Sequence, residues 1–374
     1  MTPSFDRAFD LTPSEEQQLV IDALTRFAQE QLRPQAQKAD LEQQLPESYL
    51  AQVAALGLPL ANLPESIGGN GARSPISNAL VAETLAYGDM AMAIAALSPV
   101  SFANALMDQA SPSECEHWLK ALTSSDFVAA SLALIEPKAT SDPLKPATQA
   151  VRKGEDWVLD GTKSAIPLGA QAQYLLVSAT DSDTGVVRAF VVEGGTKGLG
   201  IEQERWMGLC ALGMSNLKLD SVRVPRQAEI GAENGVDLAR ILALGRIGIA
   251  AATVGVCQGI LDYCIPYCNE RQAFGEPISN RQAVAFKLAD AATETEAMRL
   301  LVWRAAGAAE NHSEASEITR LAALAHRFSA QKGMQIANDG VQLLGGHGYT
   351  REHPVELWYR NLRAVELMPL TIVP

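Results

Sequence analysis

A chain of 374 residues with 47% hydrophobic and 20% charged content can bury a substantial core in two or three domains, and it is too apolar to be a disordered polymer. A formal net charge of -13 excludes general affinity for nucleic acid, which needs a surplus of Lys and Arg facing phosphate. The start, Met1-Thr2-Pro3-Ser4-Phe5-Asp6-Arg7, lacks the basic and apolar regions of a secretory signal, so a cytoplasmic protein is expected.

In chain order, Thr12 reads as a helix N-cap with Pro13 at the first helical position, followed by Leu19, Leu24 and Phe27 at mainly helical spacing. Turn formers from Gly57 to Gly71 break this helical region, and Ile76 to Leu106 reads as helix again. Around Phe127 the pattern changes. Trp157-Val158-Leu159, Tyr174 to Val177, Val186 to Val192 and Leu217-Lys218-Leu219 are short strand candidates separated by Gly and Asp turns. After about Gly235 long Ala- and Leu-rich helical segments return and persist to about Leu344, with a break at Gly275-Glu276-Pro277. Within them the run Ile247 to Leu261 falls short of the roughly 20 residues that span a bilayer, and a buried helix with no membrane span is expected. Cys115, Cys210, Cys257, Cys264 and Cys268 form no CxxC pair; Cys264 and Cys268 share a helix face, where buried thiols are expected rather than a metal site. His347, set between glycines, is given a surface or packing role.

Several short motifs then occur in order. Gly340-Val341-Gln342-Leu343-Leu344-Gly345-Gly346-His347-Gly348-Tyr349 leads on to Arg360-Asn361-Leu362-Arg363. Upstream stand Glu136-Pro137-Lys138-Ala139-Thr140-Ser141-Asp142, Asp160-Gly161-Thr162-Lys163, the strand Leu219 to Pro225, and Arg271-Gln272-Ala273-Phe274-Gly275-Glu276-Pro277-Ile278 with Gln282. Over nearly its whole length the chain resembles the acyl-CoA dehydrogenases. Any one of these motifs is weak; their joint order carries the resemblance.

The resemblance implies an α+β fold: an N-terminal helical domain (1–123), a central β-barrel domain (124–227) and a C-terminal four-helix bundle (228–374). It also implies FAD lying extended between subunits, with an acyl-CoA substrate beside its isoalloxazine ring. Arg271 would meet the pyrophosphate of the neighbour's FAD, Phe274 and Gln282 would lie beside its adenosine, and Gln342, Gly345 and Gly346 would line its diphosphate-adenosine part.

The positions expected to hold the ring depart from the family. Where the family commonly has TrpIleThr, this chain has Ala165-Ile166-Pro167; a threonine neighbour of the flavin is Ile135, and a common basic residue is Cys210. The family glutamate that removes the substrate α-proton is replaced by Pro369, which has neither carboxylate nor N–H. An alternative base position, just before an arginine, is Ala239, before Arg240. Glu366 is the remaining carboxylate near the motif, expected to be a solvated or salt-bridged surface group.

These features suggest a partner subunit in an alpha2beta2-type heterotetramer, completing the FAD site of a homologous catalytic chain, with a bulky lipid or steroid acyl-CoA as substrate and an electron-transferring flavoprotein as acceptor. Two alternatives stay open: a self-sufficient dehydrogenase with a relocated base, and a non-redox acyl-CoA-binding or structural homologue.

Overall fold

The computed structural model describes residues 12–71, 73–231, 235–368 and 371–374. Helix α1 (Glu15–Phe27) runs through a π-helical turn at Ala28–Leu32 into α2 (Arg33–Glu42). Its N-cap is Ser14 rather than Thr12. Ser14 accepts from the Gln17 N–H at 3.2 Å while Gln17 Oε1 accepts from the Ser14 N–H at 2.9 Å, a reciprocal box that two orphan donors require. After α3 (Tyr49–Ala55), the stretch expected as one helix from Ile76 is two: α4 (Pro75–Gly88) and α5 (Met90–Gln109). Asp89 separates them by adopting an extended backbone, φ -159°, and capping α5 through the Met92 N–H at 2.9 Å. Helix α6 (Pro112–Ala121) follows.

The middle region is an 8-stranded sheet: β1 (Ala130–Ala133), β2 (Gln149–Lys153), β3 (Asp156–Ile166), β4 (Tyr174–Asp181), β5 (Val187–Glu193), β6 (Leu199–Gln203), β7 (Ser215–Pro225) and β8 (Glu229–Ile230). Its path runs β6-β7-β3-β2-β4-β5-β8, with β1 parallel to β4. Among the described residues no pairing of β6 with β8 closes this path, so the expected barrel is an open mixed sheet. β2 and β6 are short and mostly solvent-facing, which removed the apolar alternation that marks a strand.

Helix α7 (Leu238–Glu270) opens the C-terminal region, followed by a small hairpin of β9 (Gln272–Ala273) and β10 (Glu276–Pro277), then α8 (Gln282–Glu310), α9 (Ala315–Leu343) and α10 (Val355–Val365). α5 and α7 are long and apolar enough to cross a membrane, yet both are almost wholly buried by their neighbours. Two glycines permit close helix contacts, one between α7 and α4 and one between α4 and the π-helical turn. A Cβ on Gly255 of α7 would fall 2.0 Å from the Glu83 carbonyl of α4, and one on Gly88 would fall 2.8 Å from the Ala28 carbonyl. Arg299 of α8 reaches back to Glu83 at 2.8 Å, joining the first and last regions again.

Candidate active site

Helices α7, α8 and α9 are successive antiparallel neighbours, so the end of α7, the start of α8 and the end of α9 lie at one end of the bundle. Arg271 stands there at the C-cap of α7, and its carbonyl accepts from the Ile278 N–H at 2.9 Å, closing the hairpin. At the hairpin tip Phe274 and Gly275 take positive φ, 56° and 85°, and Phe274 is 95% exposed. The Arg281 guanidinium lies 5.6 Å from its ring. Gln282 opens α8, exposed. Gln342 sits in the last turn of α9, its amide donating to the Tyr349 hydroxyl. Gly345 needs its φ of 59°, whereas Gly346 has no such need, and a Cβ there would meet nothing within 4 Å. The Tyr267 hydroxyl ties α7 to this loop, 3.4 Å from the Leu344 carbonyl and 2.9 Å from His347 Nδ1. His347 also stacks on His353 at 5.4 Å, the packing role expected of it. All six expected grip residues are thus exposed at one end. Among the described residues nothing buries Phe274 or requires Gly346 to lack a side chain, and an aromatic face, a fixed cation and open backbone suit adenine and pyrophosphate.

The ring-side positions also come together, with Ala165, Ile166 and Pro167 inside the protein and Ile135 half-buried beside them. The Ser164 N–H donates to the Ile135 carbonyl at 2.9 Å. A register shift in the β3–β7 ladder falls between Lys163 and Ile166, where Ala165 takes a φ of 56° that a residue with a Cβ rarely adopts. Ala165, Ile166 and Pro167 are all buried. Ser131 Oγ lies 2.7 Å from the Pro167 carbonyl and 2.8 Å from Ser98 Oγ, and Ser98 Oγ lies 2.6 Å from the Ala130 carbonyl, so the two hydroxyl protons serve two of these three contacts at a time. This serine pair was not legible in the sequence, since neither serine sits in a motif. Just upstream, Lys163 is wholly buried and pairs with Glu136 at 3.0 Å, with Ser178 and Thr148 completing the cluster. Burial alone would push the Glu136 carboxyl up, but the Lys163 ammonium and the Thr148 donors outweigh it and hold it down at about 2. Burial pulls Lys163 down to about 8 against the pull of Glu136.

Cys210 lies away from this cluster, its thiol facing the Trp206 carbonyl at 3.4 Å and Arg360 at 3.8 Å. Burial, then the Asp40 carboxylate, pushes it up to about 11, so it is not a poised thiolate. Arg360 and Asn361 act as joints. Arg360 forks onto Asp40 at 2.8 and 3.0 Å, while Asn361 Oδ1 accepts from the Leu209 N–H at 2.7 Å. A Cβ on Gly208 would fall 2.1 Å from the Arg360 carbonyl, so the Cys210 loop is clamped to α10. Cys264 and Cys268 are buried as expected, the Cys264 thiol pushed up to about 12 by burial and then by Cys268.

Family models of the acyl-CoA dehydrogenase N-terminal, middle and C-terminal domains match residues 14–126, 131–222 and 235–368 in turn. The chain is 32% identical over 361 residues to the mitochondrial short-chain specific acyl-CoA dehydrogenase of Bos taurus, covering 94% of this chain and 86% of that protein. The chain belongs to the acyl-CoA dehydrogenase family. Its backbone is similar to that of butyryl-CoA dehydrogenase from Megasphaera elsdenii, with a TM-score of 0.89, 28% identity and 98% of each chain covered. It is also similar to a glutaryl-CoA dehydrogenase from Mycobacterium smegmatis in complex with FADH2, with a TM-score of 0.85, 25% identity, and coverage of 98% of this chain and 92% of the other.

For an acyl-CoA dehydrogenase the carboxylate inventory is thin. Pro369 lies outside the described residues. Glu366 follows α10, a third exposed and 3.6 Å from Arg363, the salt-bridged setting expected of it. It also borders a cavity of about 10 Å³ beside His326, whose imidazole burial, then Arg246, pushes down to about 4 and so keeps neutral. Ala239 offers no base, and Arg240 is engaged 3.2 Å from Asp108, which Arg73 also meets at 2.8 Å.

Proposed function

We propose that this chain supports FAD-dependent α,β-dehydrogenation of an acyl-CoA thioester as a subunit that completes the FAD site of a homologous catalytic chain. The single observation that carries the reading is the split between the two halves of its cofactor machinery. Arg271, Phe274, Gln282, Gln342, Gly345 and Gly346 are exposed, while Ala165, Ile166 and Pro167 are closed over by their own core and Ile135 is half-buried against it. In this arrangement Arg271 would hold the pyrophosphate of a neighbour's FAD, Phe274 and Gln282 would flank the adenosine, and Gln342 with the Gly345–Gly346 backbone would guide the linking chain. When bound there, FAD would supply the hydride acceptor, and the partner chain would supply the base and the ring pocket. The electrons pass on to an electron-transferring flavoprotein, and the complex is a cytoplasmic heterotetramer with the domain division 1–123, 124–227 and 228–374.

Glu366 is held by Arg363 and supplies no support for a self-sufficient enzyme with a relocated base. The deciding measurement is FAD per polypeptide in the chain alone and in the chain co-expressed with its homologous partner. Flavin near one per two chains, appearing with the partner only, is expected. One flavin per chain in the lone protein would overturn the division of labour, and none in either preparation would leave a non-redox homologue.

A further inference from the structure

Two histidines and two tyrosines meet where the Gly345–Gly346 loop leaves α9. The His347 and His353 rings stack nearly parallel, 17° apart, with 5.4 Å between centroids. Each imidazole also faces a phenol of α7. His347 Nδ1 lies 2.9 Å from the Tyr267 hydroxyl, and His353 Nδ1 lies 2.7 Å from the Tyr263 hydroxyl.

The two pairs differ in one respect. The Tyr267 hydroxyl has a second acceptor, the Leu344 carbonyl at 3.4 Å, whereas the Tyr263 hydroxyl has His353 alone among the described residues. A hydroxyl has one proton to give, and a neutral imidazole can accept it at Nδ1, but a charged imidazole is a donor at both nitrogens. A proton reaching His347 therefore turns the chain round: Nδ1–H donates to the Tyr267 oxygen, and the Tyr267 hydroxyl donates to the Leu344 carbonyl, one residue before Gly345. The same event at His353 would leave the Tyr263 hydroxyl with no acceptor among the described residues. Nor can Tyr263 yield its proton, because burial, then Cys264 and Tyr267, pushes the phenol up. Like charges on stacked rings repel, so the pair takes one proton at a time, and the second acceptor gives it to His347.

The surroundings leave that charge free for a ligand. α7 presents Tyr263, Tyr267 and the Cys264 thiol, which burial and then Cys268 push up to about 12, and it ends in Glu270 and Arg271. α9 contributes Gln342, its Asp339 being paired with Lys287. The segment before α10 carries Arg351 and Glu352, both exposed, and α2 reaches it through the Gln37 amide on the Arg351 carbonyl. His347 is exposed and in no ion pair among the described residues. Its imidazole is of the one side-chain type whose charge ordinarily changes between about pH 5 and 8, and it stands one residue past Gly346.

We propose that His347 is a proton-linked counter-charge for the Gly345–Gly346 loop: it takes up one proton from solvent as a diphosphate settles there, and Tyr267 passes the change to the Leu344 carbonyl. The proposal rests on the FAD reading above and deepens it by adding pH control of cofactor hold. An anion favours the charged imidazole, so hold tightens as pH falls.

The test is FAD retained by the complex with the homologous partner chain after gel filtration at about pH 6 and about pH 8. Wild type should hold FAD at least about threefold better at the lower pH, the gain from one partly screened charge. His347→Gln should hold it equally at both, with melting unchanged. His353→Phe, which keeps a ring in the stack, should keep the pH dependence. Equal hold by wild type at both pH values, or a dependence that survives His347→Gln or is lost with His353→Phe, would overturn the proposal. Should a variant fail to fold, the histidine-ring 15N signals of wild type decide. At about pH 7 the His347 ring should carry protons on both nitrogens in a larger share of the FAD-bound complex than of the lone chain, and an equal share would overturn the proposal. FAD held without pH dependence removes this role of His347 alone, whereas absence of FAD from the complex removes the reading of the preceding section as well.

Discussion

The bundle end and the ring-side cluster carry the two halves of one cofactor's expected contacts, and they differ in what their own chain asks of them. At the bundle end Phe274 is bare and Gly346 unobstructed, so those residues are unexplained by folding. In the ring-side cluster the polar groups named have internal partners: the Ile135 carbonyl with Ser164, the Pro167 carbonyl with Ser131, Lys163 with Glu136. A residue without an internal role points to something outside the chain. A residue with a full set of partners points to the fold.

That contrast can be broken by substitution, because damage at the cluster should unfold the chain and damage at the bundle end should only loosen cofactor. The largest expected effect is Lys163→Ala, which strands the buried Glu136 carboxylate and should cost about 3–5 kcal/mol in urea unfolding. Glu136→Gln sharpens the point through pH. The folded carboxyl is depressed, so its contribution is complete above the unfolded value near 4.5 and is lost as pH falls through about 2. The gap in urea midpoint between wild type and Glu136→Gln should therefore narrow across that acid window; a gap that widens there would refute the sign. Next comes Arg271→Ala, measured as FAD retained by the co-expressed complex after gel filtration. Loss of a charge-assisted contact worth about 1.5–3 kcal/mol should leave melting unchanged and weaken retention by roughly one to two orders of magnitude. Gly248→Ala follows, a change that usually favours a helix but here should destabilise by about 1–3 kcal/mol, since the Ile372 carbonyl blocks the methyl. The smallest effect belongs to Glu366→Gln, whose partly exposed pair with Arg363 is worth at most about 1 kcal/mol. Turnover of the complex should be nearly unchanged, and a loss of about 10²-fold or more would make Glu366 a base.

Much of this architecture was legible in the sequence, for reasons that can be named. Motifs such as Arg271 to Ile278 and Gly345-Gly346 carry their spacing with them, and the Gly275-Glu276-Pro277 break became the observed hairpin. Thr12 lost to Ser14 because the capping box needs Gln17 three residues on. The helix break at Asp89 was hidden by apolar neighbours on both sides. β2 and β6 were invisible because short strands with mostly polar, exposed faces have no alternation to read. The seat of residues 372–374 was the least legible part: Arg73, Ser101, Asn104, Gly248 and Ile372 are spread along the chain, each is ordinary alone, and only tertiary packing makes them a set.

The near-contact of Gly255 with the Glu83 carbonyl has a consequence for how the protein is made. α4 and α7 fit together backbone to backbone, yet the whole sheet is synthesised between them. During translation α4 must wait with its apolar face uncovered until α7 has left the ribosome, a delay that high sequence separation imposes on any such pairing. Ribosome-stalled chains ending before Leu238 should therefore be cut by protease within 75–109, and chains extended past Glu270 should resist. Protection in the shorter chains would show that the N-terminal helices complete their packing without α7.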